Sequence, residues 1–518
     1  MSSAPPASPG RNGAAVAAGV AAPGALRSDW PRADARLGWI VALLCLPVVA
    51  CAALALGGRS WEAVVLCTLA IAACVPVALP WLARKPFDLF HPMAFVTLSV
   101  LLGTTLRSLY VALLETEHTH WLLEEQPLST LLPGAVVLCA ATTCIGAGYW
   151  AAGRRRVRLE RIAILDRTWS FPRLRTILWC VAPIAAIATV DFLRRTGFHL
   201  DALSDLSAKR RVVVDETTRD FASLGYHRWA AHALVVPVFY MFLVLWLMRR
   251  EPRARFYALL AFGVAAVFPI LVSDRSGLGY LLIALMMAAD RLGRLKYRQV
   301  ALVGTGLLLV FGVMRGLRDE SMQDASYFSR IVGEGKMFED LVANRNFTCI
   351  TKTAKIYEYT PERMPREYGQ TLLLWTVAWI PRTIWTGKPE ISLGDRVQHE
   401  IYQDPIGGGY PPGIVGELLI NFGLLGTLVG CLVFGAFLRF FYNSFLPTLR
   451  DNPTLLLLYI SVVVEVSFVM MGLQVARVIM DLLKILVTTG AFLFLASVRR
   501  PRAATAGAPR LRSLEGLA

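Results

Sequence analysis

The 518-residue chain is poor in charge. Asp, Glu, Lys and Arg make up 17% of it, against about 25% in a soluble globular protein. With 55% hydrophobic residues and a mean hydropathy of +0.52, that shortage excludes an ordinary soluble domain. Metal-ligand spacings are missing too. There is no H-E-x-x-H and no D-x-D, and His91, His118, His120, His199, His227, His232 and His399 are scattered. His118 and His120, two apart, read as part of a solvated loop. Neither a P-loop nor a G-x-S-x-G is present, so the motifs indicate neither a nucleotide triphosphatase nor a serine hydrolase. The nine cysteines do not pair by spacing. Eight lie in apolar runs, where cysteine is a small core residue, and Cys349 stands alone in a loop without an obvious disulfide partner. No internal repeat is visible, which weighs against a transporter built from duplicated halves. No small-residue cleavage site follows the first apolar run, which therefore reads as an anchor rather than a signal peptide.

Long apolar runs, by contrast, are abundant. A helix needs roughly 20 mainly apolar residues to span a bilayer. Spans are expected near 37–58, 61–83, 91–114, 128–152, 174–193, 229–248, 256–273, 277–290, 298–316, 413–438, 454–473 and 477–497. The expected fold is thus an all-α polytopic integral membrane protein of about 12 transmembrane helices. Residues 1–36 form a disordered tail, 37–316 carry the first nine spans, 317–412 make one long loop, 413–497 carry the last three spans, and 498–518 are a basic tail.

Basic clusters set the orientation. Arg84 and Lys85 follow the second span, Arg154–Arg156, Arg158 and Arg161 the fourth, and Arg249, Arg250, Arg253 and Arg255 the sixth. Arg291, Arg294, Lys296 and Arg298 follow the eighth span, and Arg499, Arg500 and Arg502 the last. All fall on one side, with both termini, and that side reads as cytoplasmic. The net charge of +16 is accounted for by such loops and does not call for nucleic acid.

The loops on the opposite side then become informative. Residues 194–228 and 317–412 are far longer than ordinary connections. Around Ser326–Tyr359 short helices are expected, and the apolar run Leu372–Ile380 is too short to span, so it lies at the interface or re-enters. Basic residues on this side are candidates for anion binding: Arg107, Arg194, Arg195, Arg228, Arg275 in S-D-R-S-G, Arg315, Arg318, Arg382, Lys388 and Arg477. Arginine suits phosphate because its planar fork donates in pairs and stays charged. Within the bilayer, Glu465 and Lys484 fall at similar depth in the last two spans and are expected to pair, with Asp481 beside them.

The long loop ends in W-I-P-R-T-I-W-T-G-K-P-E and then G-G-G-Y-P-P-G-I-V-G-E-L-L-I-N-F-G. Pro381, Pro389, Pro411 and Pro412 prevent a continuous helix before Gly413. Glu417 and Asn421 then lie one turn apart on one helix face. Polar groups on such a face avoid bare lipid, so it is expected to look into protein.

Ile380-Pro381-Arg382 with Trp385, Lys388 and Pro389, then Pro412-Gly413, Gly416-Glu417-Leu418, Asn421-Phe422-Gly423 and Gly426, resembles the bacterial O-antigen polymerases, also called oligosaccharide repeat-unit polymerases. The turn Asp274-Arg275-Ser276-Gly277 and the late long loop resemble that family as well. The matching motif covers about a tenth of the chain. The resemblance implies a metal-independent, lipid-dependent glycosyltransferase without a cofactor. Its partners would be undecaprenyl-pyrophosphate-linked glycans and membrane lipid, with room for a chain-length regulator and a flippase. It implies Arg275, Arg315 and Arg382 at the pyrophosphate, with Lys388 second. Glu417 is the first candidate for base or acceptor orientation, with Asn421 beside it and His399 as a weaker base. An O-antigen ligase and a transporter or flippase of lipid-linked sugars are the competing readings.

Overall fold

The computed structural model describes residues 33–83, 88–114, 127–162, 165–195, 216–271, 275–291, 295–296, 298–300, 302–304, 306, 348–380, 384–389, 392–403, 409–449, 453–472 and 474–499. Seven helices among them are long and apolar enough to cross a membrane. The chain is thus a helical membrane protein. In order, α1 is Ala33–Leu56, α2 Trp61–Leu82, α3 Pro92–Val100, α4 Arg107–Leu114, α5 Leu128–Ala151, α6 Phe171–Arg195, α7 Glu216–Arg249, α8 Pro252–Leu271 and α9 Arg275–Arg291. After the loop region come α10 Ile350–Tyr359, α11 Gln370–Leu373, α12 Leu393–Arg396, α13 Gly413–Phe445, α14 Pro453–Met471, α15 Val475–Ile485 and α16 Ala491–Leu495.

The expectation of about 12 spans meets seven helices that satisfy length and hydropathy. Shorter apolar helices, Ile40–Leu56 and Leu455–Val466, fall where two further spans were expected. Helices α8 and α9 occupy the places of the seventh and eighth, and most of 298–316 lies outside the described residues. Two local features differ from the expectation. Helix α7 begins at Glu216, thirteen residues before the expected start at 229, because a helix can run on past the apolar stretch that hydropathy detects. The fold also contains an antiparallel pair of short strands, β1 Arg167–Trp169 and β2 Ser497–Arg499, in the register Thr168 opposite Val498.

Local sequence explains the helix starts. Ser60 caps α2, its Oγ accepting from the Ala63 N–H at 3.3 Å. His91 caps α3, its Nδ1 accepting from the Met93 N–H at 3.2 Å, and Pro92 fills the first helical position. Between α3 and α4 the helix widens into a π turn, Leu101–Leu106, and the fully buried Arg107 follows it.

The centre of the bundle is the contact between α5 and α13, which run side by side in the same direction. Glycines permit it. A Cβ on Gly148 would lie 1.9 Å from the Leu432 carbonyl oxygen, and one on Gly435 would lie 1.9 Å from that of Ile145. Backbones can approach this closely only where small residues meet, the usual device of membrane helices. Further along, Arg439 Nε donates to the Gly153 carbonyl at 2.9 Å and Arg439 Nη1 to Tyr149 OH at 2.9 Å.

This end of the bundle gathers the basic connections. Arg291, closing α9, reaches Asp88 in the loop after α2, at 2.9 Å. Arg175 at the start of α6 pairs with Glu251 after α7. The β1–β2 pair sets Arg167 opposite Arg499. The connections after α2, α5, α7 and α9 and the end of β2 therefore share one end, and the described residues of 348–412 lie at the other. Glu465 is buried in α14, and among the described residues Lys484 makes its direct ion pair elsewhere. Lys484 Nζ instead bonds Asp481 Oδ1 at 2.8 Å, and Asp481 Oδ2 accepts from Arg477 Nε at 2.8 Å. Neighbours three and four apart on one helix meet more cheaply than partners on two helices.

Candidate functional site

The site is built where α13 begins. Pro411 and Pro412 precede it, and Gly413 turns into it with φ +66°, its N–H donating to the Gly472 carbonyl at 3.1 Å. The turn between α14 and α15 is thereby fastened to the start of α13. Gln474 in that turn extends the tie, its Oε1 accepting from the Leu393 N–H at 2.7 Å.

Glu417 and Asn421 are both fully buried. Both carboxyl oxygens of Glu417 are engaged. Oε1 accepts from Thr371 Oγ1 at 3.0 Å, and Oε2 from the Val475 N–H at 2.7 Å. Val475 opens α15, where backbone N–H groups have no partner within the helix. Asn421 Nδ2 donates to Thr371 Oγ1 at 2.6 Å and to the Glu417 carbonyl at 2.7 Å. Its Oδ1 accepts from the Gly369 N–H at 2.7 Å. The acceptors and the donor around it fix the orientation of the amide. The polar face expected on this helix thus looks into protein, and it holds the 369–371 segment and α15 together.

Nearly three turns in, α13 breaks. Gly423 has φ +67° and ψ −166°, outside the helical region and open only to glycine. In an unbroken helix the Ile420 and Asn421 carbonyls would accept from residues 424 and 425. Here they accept from the Glu367 and Tyr368 N–H groups, each at 3.2 Å. Residues 366–369 therefore run along the break. Arg366 lies over it, its guanidinium carbon and both terminal nitrogens 3.1 Å from where a Gly423 Cβ would stand.

Other expected residues fall as follows. Lys388 is buried, with Nζ donating to the carbonyls of Ala378 at 2.8 Å and Ile380 at 2.7 Å, so it fastens the irregular run after α11. His399 is exposed on a π turn, Val397–Ile401, that continues α12. Arg275 is the first residue of α9, and its side chain is outside the described set. Arg315, Arg318 and Arg382 also lie outside the described residues. The structure brings Glu417 and Asn421 together, while Lys388 and His399 make no hydrogen bond to either of them.

Several cations near the junction escaped the sequence reading. Buried Lys352 donates to the Pro411 carbonyl at 2.6 Å. Arg396 pairs with Glu367 at 2.8 Å and Glu400 at 2.9 Å. Arg363 stacks on Tyr359, 3.9 Å from the ring centroid, and donates to the Ile401 carbonyl at 3.2 Å. A signal was present for Arg366: it sits in M-P-R-E-Y-G, between a proline and a glycine, where backbone is irregular. Among the described residues no three His, Cys, Asp or Glu side chains group as metal ligands. No protein-family model, curated protein or solved structure matches this chain.

Proposed function

We propose that this chain is a membrane glycosyltransferase that polymerises undecaprenyl-pyrophosphate-linked oligosaccharide repeat units into a surface polysaccharide, whether O-antigen, capsule or exopolysaccharide. The observation that carries the reading is the unit formed by residues 367–371, the turn before α15 and the first turns of α13. Its centre is Glu417 and Asn421, the polar residues of the motif that resembles repeat-unit polymerases. A late loop hydrogen-bonded to a polar face of a membrane helix is where a lipid-linked, water-soluble glycan meets a fixed site.

In the reaction a hydroxyl of the acceptor's terminal sugar attacks the anomeric carbon of the donor glycan. The new glycosidic C–O bond forms as the bond from that carbon to pyrophosphate breaks. Undecaprenyl pyrophosphate leaves with the electron pair, and the hydroxyl proton passes to a base or to water. Charge grows on the leaving group, so fixed cations stabilise the transition state. Arg275, Arg315 and Arg382 are assigned to that charge, with Lys388 supporting the loop that carries Arg382. Glu417 and Asn421 orient the acceptor side of the junction, and His399 is the exposed imidazole available to take a proton.

Orientation belongs to the same proposal. The basic end faces the cytoplasm of a bacterial inner membrane with both termini, and the 348–412 region faces outward. Single cysteines at the exposed positions Arg156 and Glu362 test it in intact cells. An impermeant thiol reagent is expected to label position 362 and spare 156, and the reverse pattern would invert the topology. Function is tested by gel analysis of surface polysaccharide from a deletion strain. The expected result is loss of the ladder with a single repeat unit retained. Complete loss of attached glycan would point instead to a ligase or a flippase.

A further inference from the structure

Arg366 has a placement that its sequence neighbours do not share. Lys352 donates to a carbonyl, Arg363 stacks on Tyr359, and Arg396 is held by two glutamates. Arg366 is exposed, and among the described residues it has neither a hydrogen-bond acceptor nor an ion-pair partner. Its position is nevertheless fixed. The Glu367 and Tyr368 N–H groups bond the carbonyls of Ile420 and Asn421, and the Gly369 N–H bonds Asn421 Oδ1. Tyr368 is held at φ +44°, a region that costs a tyrosine energy, with its ring 76% exposed. Strain of this kind persists where surrounding bonds enforce it, and here Asn421 enforces it from both sides of the peptide.

The guanidinium meets the helix at Gly423, 3.1 Å from where a Cβ would stand, a tight contact. The neighbouring residues of the break, Phe422 and Leu425, are exposed large hydrophobics in a membrane helix. A charged fork thus sits where an apolar, lipid-facing helix surface meets polar loop. The ligand that satisfies both halves is an amphiphile with a phosphate headgroup and a hydrocarbon tail.

We propose that Arg366 is a substrate-binding residue of this site. It holds the phosphate of a lipid-linked glycan against the Gly423 break while the lipid tail lies along Phe422 and Leu425. This rests on the polymerase reading above and adds a residue that the motif does not contain. Glycine at 423 is then required for its positive φ, and its bare backbone leaves the guanidinium room to lie close.

The test is binding of farnesyl pyrophosphate to the full chain in nanodiscs of phosphatidylcholine. The wild type is compared with Arg366→Gln, Arg366→Ala and Arg366→Lys. Because Arg366 is exposed, the three variants are expected to purify with wild-type thermal stability, and Gln keeps a polar, planar amide without the charge. Wild type is expected to bind, Gln and Ala to bind at least tenfold more weakly, and Lys to recover part of the loss, since it keeps charge without the fork. A second arm adds phosphatidylglycerol to the discs. Competition at its ordinary abundance that removes the difference between wild type and Gln would make Arg366 a general headgroup anchor and overturn the proposal. Equal binding by wild type and both neutral variants would overturn it while sparing the polymerase reading. No binding by wild type would remove that reading and this proposal together.

Discussion

Replacing Asp88 with asparagine is expected to cost about 3–5 kcal/mol of stability, the usual result of leaving one partner of a buried ion pair alone. Asp88 and Arg291 are both nearly inaccessible, with side-chain exposures of 8% and 11%. Arg291 Nη2 lies 3.0 Å from Asp88 Oδ1 and 2.9 Å from Oδ2. The carboxylate also accepts from Tyr442 OH at 2.6 Å and from the Phe90 N–H at 3.0 Å. Arg291 Nη2 further reaches Tyr459 OH at 3.1 Å, so the loop after α2, the end of α9, α13 and α14 meet at one point. Burial pushes the Asp88 pKa up, but the Arg291 charge and the hydrogen bonds from Arg291 and Tyr442 outweigh it and hold the carboxyl below its ordinary value. A carboxylate lowered in the folded state stabilises that state at any pH above its unfolded value, about 4. The contribution is lost as pH falls through the folded value. Thermal unfolding in detergent should therefore show a large gap between wild type and Asp88→Asn at pH 7, narrowing as acid takes pH below 4. The double variant Asp88→Leu with Arg291→Met, which removes both charges of this pair, should lose less than either single change, although Asp290 also loses its Arg291 partner at 3.7 Å. Additive losses would mean that the two side chains act separately.

Much of the fold was legible because lipid is a demanding solvent. It requires long apolar runs, and those at 61–83, 91–114 and 128–152 correspond closely to α2, α3–α4 and α5. It also admits a polar face only toward protein, and Glu417 and Asn421, four apart, disclose such a face in the sequence alone. Their partners were not legible. Thr371 and Val475 are remote in sequence from Glu417, and nothing in their own neighbourhoods marks them. Asp88 follows the basic Arg84 and Lys85, and Arg291 is one of a basic cluster, and charge counting registers sign and not pairing. Gly423 was part of the quoted motif, but nothing in the sequence marks it as a break in the helix. Its positive φ depends on the loop that takes over the freed carbonyls, which is a tertiary fact. The Glu465–Lys484 expectation failed for a related reason. The nearer acid on the same helix, Asp481, took the lysine.

Removing the Glu417 carboxyl is expected to undo the junction, and the choice of replacement separates structure from chemistry. Glu417→Ala leaves the Val475 N–H and the Thr371 hydroxyl without the acceptors they have now, at fully buried Glu417 and Thr371 and half-buried Val475. Each unsatisfied group costs about 1–3 kcal/mol, and the vacated volume adds to it. Protein level in the membrane should fall steeply. Glutamine behaves differently because the site can accommodate an amide. Its carbonyl oxygen can take the Val475 N–H, and its NH2 can donate to Thr371 Oγ1 once that hydroxyl turns its own proton elsewhere. Glu417→Gln should therefore reach the membrane in near-normal amount. Its activity then decides the role. With both oxygens engaged and no exposure, the carboxyl is placed to position residues 369–371 and α15, so polymerisation of purified lipid-linked repeat units should stay within about tenfold of wild type. A base whose proton transfer is lost typically costs two to four decades. A loss of that size at normal protein level would return Glu417 to the role of base, with the junction opening during turnover to free one oxygen. Asn421→Ala supplies the control. It should release Tyr368 from its strained turn and weaken farnesyl pyrophosphate binding as Arg366→Gln does, because both act through the 366–369 segment. Intact binding by Asn421→Ala would show that the segment keeps its place without the latch.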